Sequence, residues 1–173
     1  YALACTYLWA RQSHFIFTPR KEIKKTPEAH QLPFEDVYIS ISDPDGRSER
    51  IHGWWIPAVP PSDRVLLYLH GGALNIGANV DAARRFHDLG FSVFLVSYRG
   101  YGLSDGEFPS EDKVYADAQA AWNYLTANRA IPGLGYQEAS HYPLGSTVET
   151  LNVYPGTVIG SVERVAAHFV RLL

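Results

Sequence analysis

Residues 65–79 read VLLYLHGGALNIGAN: an apolar run meets a histidine and two glycines, then a segment suited to starting a helix. The run RVLLYLH (64–70) is nearly continuous in apolar residues, and FSVFLVSY (91–98) repeats the pattern. Unbroken apolar stretches of this length fit parallel strands buried on both faces. Each is followed by helical spacing. Val80, Ala83, Phe86 and Leu89 recur at intervals of three, with Gly90 where a glycine stop belongs. Pro109 and Ser110 supply the next start, and Val114, Ala118, Ala121, Trp122 and Leu125 form its apolar stripe. Strand, helix, strand, helix with short connections predicts an α/β layer fold with parallel strands and crossover helices.

Upstream, EDVYISI (35–41) alternates through Val37, Ile39 and Ile41 with the period of a half-buried strand. A turn at SDPDGR, which holds Asp43 and Asp45, leads into ERIHGWWIPA (49–58), so the two runs predict an antiparallel hairpin. A basic, proline-bounded connector from Thr18 to Pro33 precedes it.

At 173 residues and 46% hydrophobic content the chain can pack a core. Its formal charge of -3, with both signs interspersed, offers no basic face for a phosphate backbone, so nucleic acid is not an expected partner. The single cysteine, Cys5, excludes an internal disulfide and a thiolate metal site, which favours a reducing compartment over disulfide-rich secretion. The chain opens at Tyr1 and contains no methionine, so an upstream segment is expected to be missing. Residues 1–13, beginning YALACTYLWA, are shorter than the roughly 18 residues a membrane span needs. They read either as the tail of an N-terminal anchor or as an amphipathic or buried first helix.

The α/β pattern breaks near Pro132. Residues 131–145, IPGLGYQEASHYPLG, hold three glycines and two prolines where another buried strand is due. The organisation expected is therefore an N-terminal segment (1–13), the front part of an α/β domain (14–132), and a divergent tail (133–173). Ile159, Val162, Val165, Phe169, Val170 and Leu173 in that tail predict a terminal amphipathic helix.

The turn His70-Gly71-Gly72 lies beyond the carboxyl end of a predicted parallel strand, where open α/β sheets bind ligands. Its glycines let backbone N–H groups approach developing negative charge, or they only make a tight turn. A phosphate-binding loop is disfavoured, because Ala78-Asn79 stand where Gly72 and Gly77 would require lysine and a hydroxyl residue. The dinucleotide glycine spacing is also unmet. The seven histidines show no clustered ligand spacing, so no metal is expected.

RQSHFIFTPRKEI (11–23), LPFEDVYI (32–39), IHGWWIPA (51–58), LLYLHGGALNIGAN (66–79), LGFSVFLVSYRGYGLSDGEFPSE (89–111) and DAQAAWNYL (117–125) together resemble the front half of an α/β-hydrolase. Within that fold they are most similar to the Bem46-like group of serine hydrolases, which often carry an N-terminal membrane anchor. The resemblance covers residues 11 to about 132. It implies cofactor-free hydrolysis of an ester, thioester or amide in a small acyl substrate, through an acyl-serine. It also implies that the backbone N–H of Gly72, with Ala73, forms one half of an oxyanion hole. Tyr98, Arg99, Gly100, Tyr101 and Gly102 would shape the loop after the next strand, as packing.

That mechanism needs a serine on a sharp Gly-x-Ser-x-Gly turn, then an acid and a histidine. The chain is expected to hold no Gly-x-Ser-x-Gly at all, and so no serine on such an elbow. Counted on from Pro132, the nucleophile position falls on Tyr142, or on Pro143 with one inserted residue. Ser140, Ser146 and His141 are the remaining candidates, and solvated loop residues are the plainer reading of them. His168 reads as a helix residue. Ser110 and Lys113 match Ser-x-x-Lys, but beside Pro109 the serine reads as a helix cap. The expectation is thus a partial α/β-hydrolase fold, catalytically incompetent in this chain, with a non-catalytic binding module on the same scaffold as the alternative. The tail beyond residue 132 reads as a change of frame, ahead of divergence or a fragment. A hydrolase so interrupted is expected to expose the face of 91–98 that its missing strand would cover.

Overall fold

The computed structural model describes residues 2–42, 46–62 and 64–129. Its elements are α1 (Ala2–Ile16), β1 (Thr18–Pro19), a 3-10 turn (Pro27–His30), β2 (Glu35–Ser42), β3 (Ser48–Ile56), β4 (Val65–Leu69), β5 (Ala73–Leu74), a second 3-10 turn (Ile76–Asn79), α2 (Val80–Asp88), β6 (Ser92–Ser97) and α3 (Glu111–Asn128).

The predicted hairpin forms, with Ile39 opposite Ile51 and Ser42 opposite Ser48. The four-stranded sheet runs β2-β3-β6-β4, with β3 and β6 antiparallel and β4 and β6 parallel. Every residue of β6 is buried, as a strand covered on both faces requires. Its side chains alternate between two cores. Phe94 and Val96 join Val37, Ile51, Leu69, Val114, Ala118, Ala121 and Leu125 under α3, whereas Val93 and Leu95 join Trp54, Leu66, Tyr68, Val80, Ala83 and Phe86 under α2. Helices thus cover opposite faces of one sheet, the layered arrangement expected for this pattern.

Three expectations need correction. The strand at 91–98 is not left facing a gap, because β6 is inserted between β3 and β4; among the described residues the strands with an unpaired outer edge in this sheet are β2 and β4. Leu89 is no part of the buried stripe of α2: it caps the helix at 49% exposure, and Gly90 follows at φ +83. The first helix continues to Ile16, past the boundary drawn at residue 13, and exposes Tyr7, Leu8 and Trp9. Among the described residues, no helix is long and apolar enough to cross a membrane. The turn residues Asp43 and Asp45, and the expected terminal helix, lie outside the described residues.

Candidate functional site

Because β4 and β6 are parallel, the segments leaving their carboxyl ends, 70–75 and 98–106, come to the same end of the sheet. The connector at 18–22 crosses there and is hydrogen-bonded to both. Thr18 N donates to Gly72 O (2.8 Å), Arg20 N to Leu74 O (3.3 Å), and Gly102 N to Arg20 O (2.9 Å). Asn75 Nδ2 donates to the carbonyls of Arg20 (2.9 Å) and Glu22 (2.7 Å), while its Oδ1 accepts from Gly77 N (3.0 Å). Tyr101 Oη donates to Gly72 O (2.7 Å). Gly72 is required by close approach: a Cβ there would lie 2.6 Å from the Ile16 carbonyl oxygen, whereas at Gly71 it would meet nothing within 4 Å.

Beneath the turn, His70 is buried against the rings of Tyr98 (4.7 Å) and Tyr101 (4.9 Å). Its Nδ1–H donates to Gly71 O (2.7 Å), and Nε2 has no partner among the described residues. Burial, only partly opposed by that hydrogen bond, lowers its pKa to about 4, so the ring is neutral near pH 7. Burial likewise holds the Tyr98 hydroxyl far above the ordinary tyrosine range. The loop after β6 is pinned by Arg99, whose Nε donates to Asp117 Oδ1 and whose backbone N donates to Asp117 Oδ2, both at 2.7 Å.

Gly72 and Ala73 therefore sit together at the carboxyl end of β4, and Ala73 is exposed. The structure does not describe Ser140, His141, Tyr142, Pro143, Ser146 or His168. Ser110 caps α3, accepting from Lys113 N at 3.4 Å. Among the described residues no three His, Cys, Asp or Glu side chains gather into a metal-binding group.

One correction concerns the nucleophile pattern. GLSDG (102–106) satisfies Gly-x-Ser-x-Gly in letters, so the pattern does occur. It is not an elbow. Ser104 is 3% exposed, in a turn between β6 and α3, and its hydroxyl donates to Ser97 O (2.8 Å) while accepting from His52 N (2.9 Å). His52 and Asp36 stand close by, with His52 Nε2–H donating to Asp36 Oδ1 at 2.6 Å. The composition is that of a triad and the wiring is not: the serine meets the main chain of His52 rather than its ring. A pattern read only in the tail misses this match, and the structure places its serine in a buried, doubly hydrogen-bonded turn.

No protein-family model matches the chain. It is 32% identical over 131 residues to the alpha/beta hydrolase domain-containing protein WAV2 of Arabidopsis thaliana, a match covering 72% of the chain and 41% of WAV2. It is 46% identical over 67 residues to protein bem46 of Schizosaccharomyces pombe, covering 38% of the chain and 22% of bem46. Among solved structures, the Pyrococcus furiosus esterase Pf2001 matches with a TM-score of 0.54 and 25% identity, over 65% of the chain and 42% of the esterase. The chain spans about two fifths of the length of WAV2 and of the other first curated relatives it matches.

Proposed function

Residues 11 to about 132 form a Bem46-like α/β-hydrolase segment, and from that premise we propose that the turn at 71–73 is the oxyanion-binding half of an acyl-hydrolase site. The amides of Gly72 and Ala73 would receive the negative charge that develops on a small ester, thioester or amide carbonyl. The reading is carried by the position of this turn at the carboxyl end of β4, held by two separate segments of chain, the connector at 18–20 and the loop that carries Tyr101. A donor fixed before the substrate arrives costs no reorganisation when charge develops, which is the condition for oxyanion stabilisation.

By the same reading this 173-residue chain binds acyl compounds and does not turn them over. Its one Gly-x-Ser-x-Gly serine, Ser104, is buried and doubly hydrogen-bonded, and the position counted for the nucleophile holds Tyr142 or Pro143. Incubation with a fluorophosphonate tests this. No covalent adduct is expected, and an adduct abolished by Ser140→Ala or Ser146→Ala refutes the inactive reading. A binding module on the same scaffold, the alternative with no oxyanion chemistry, shows one cooperative thermal transition that acyl-chain analogues do not shift. The exposed Tyr7, Leu8 and Trp9 of α1 support association of the N-terminal segment with a membrane surface, checked by co-sedimentation with lipid vesicles.

A further inference from the structure

We infer that Tyr101 is a positioning residue for the oxyanion donor, its hydroxyl setting the plane and the polarisation of the Gly72–Ala73 peptide. This rests on the oxyanion reading of that turn and assigns a role to a loop that the sequence treats as packing alone.

The Gly72 carbonyl and the Ala73 N–H belong to one planar peptide unit, in which C=O and N–H point in opposite directions. Whatever fixes the carbonyl fixes the direction of the amide proton. Two donors hold that carbonyl: Thr18 N at 2.8 Å, from the connector after α1, and Tyr101 Oη at 2.7 Å, from the loop after β6. Together they occupy both lone pairs of the oxygen. Hydrogen bonds accepted by a carbonyl draw electron density from the peptide and make its N–H a better donor. The restraint matters here because the neighbouring backbone is permissive on one side and strained on the other: Gly71 stands in open space and Leu74 has φ +64.

Packing does not account for the hydroxyl. The Tyr101 ring is fully buried, edge-on to His70 (4.9 Å, 71°) and to Tyr98 (6.3 Å, 70°), and phenylalanine would occupy the same space. The ring is aimed by its own backbone, since Tyr101 N donates to Tyr98 O (3.0 Å) and Gly102 N to Arg20 O (2.9 Å). Burial raises the hydroxyl's pKa, so it remains a donor throughout the range in which the protein is handled. In Tyr101→Phe the carbonyl keeps Thr18 N, so no buried acceptor is orphaned and the fold is expected to persist.

The test uses the whole chain, 15N-labelled, with the Ala73 amide proton as reporter. Tyr101→Phe is expected to move that resonance upfield while amides of β2 and α3 stay in place. Replacing Tyr101 by 3-fluorotyrosine, a stronger donor of the same shape, is expected to move it downfield, and this serves if the phenylalanine variant does not fold. Butylphosphonate, a stable oxyanion on a short alkyl chain, then probes the site: Tyr101→Phe is expected to weaken its binding about twofold, because the bond lost is to Gly72 O and only the polarisation of the Ala73 N–H reaches the ligand. An Ala73 resonance unmoved by both substitutions overturns the inference. If butylphosphonate fails to perturb the Gly72 and Ala73 amides of the unmodified chain, the oxyanion reading falls instead, and the unliganded Ala73 shift still decides whether Tyr101 polarises the peptide.

Discussion

Arg99 and Asp117 face each other at 2.7 Å with 2% and 0% of their side chains exposed, an ion pair that joins the loop after β6 to the middle of α3. The Arg99 main-chain N–H reaches the second carboxylate oxygen of Asp117, and Nη1 reaches Glu49 Oε2 at 3.1 Å. This one residue therefore fixes the loop that presents Tyr101.

Removing either partner of a buried pair leaves the other charged and desolvated, so Asp117→Ala is expected to cost about 3–5 kcal/mol. Glu49 is 22% exposed, and Glu49→Gln is expected to cost about 1 kcal/mol or less. Urea unfolding of the two variants checks the ranking. Equal losses would mean that the guanidinium is held by the whole cluster rather than by Asp117.

Two buried groups give stability opposite dependences on pH. Burial, against the pull of Arg99, raises Asp117 from 3.8 to about 6, so the folded state holds this proton more tightly than the unfolded state. Its contribution is complete below about pH 4 and is lost as pH rises through about 6. His70 is lowered by burial from 6.5 to about 4, so its contribution is present above pH 6.5 and is lost as pH falls through about 4. Between those limits the two oppose each other. Asp117→Asn is expected to make stability fall more steeply on acidification, and His70→Phe to flatten or reverse the fall. Thermal midpoints of both variants from pH 4 to 7 decide it.

The elements were legible because their signals are local. Alternation through Val37, Ile39 and Ile41, the unbroken run of β6 and the cap at Ser110 all report on backbone within a few residues. What joins distant segments was not legible. β1 and β5 are two residues each, too short to have a period, yet their pairing of Thr18 with Ala73 holds the glycine turn. The place of β6 between β3 and β4 is a matter of strand order, on which a run of apolar residues is silent. Tyr101 belongs to a stretch whose composition suggests only a turn, and its hydroxyl's partner lies 29 residues away. Ser104 shows the reverse failure, since a five-letter pattern fits it while the fold buries its hydroxyl between two main-chain groups.

The two glycines of the turn are expected to differ sharply on substitution. Gly72→Ala drives a Cβ against the Ile16 carbonyl, backbone on backbone, where no side chain can yield. A loss of about 2 kcal/mol is expected, with α1 loosened from the sheet end. Gly71→Ala meets open space and is expected to change stability by about 0.5 kcal/mol or less. Chemical denaturation gives the difference, and amide exchange in α1 locates it. If Gly72→Ala proves as mild as Gly71→Ala, the approach of Ile16 to the turn is looser than the structure places it.

Leu74, next to the proposed donor Ala73, has φ +64, a left-handed conformation that costs a side-chain-bearing residue about 1–2 kcal/mol. Leu74 is 42% exposed, so its side chain is only partly buried to offset that cost. Glycine adopts this conformation freely but loses about 0.5–1 kcal/mol more backbone entropy on folding. The balance predicts that Leu74→Gly is neutral or stabilising by up to about 1 kcal/mol, whereas Leu74→Val, branched at Cβ, destabilises by about 1 kcal/mol or more. Urea midpoints with unchanged m-values would show the effect to lie in the folded backbone. A clear loss of stability in Leu74→Gly would instead show that the leucine side chain makes a contact worth more than its strain, and the exposed wall it forms beside Ala73 would then be part of the acyl-binding surface.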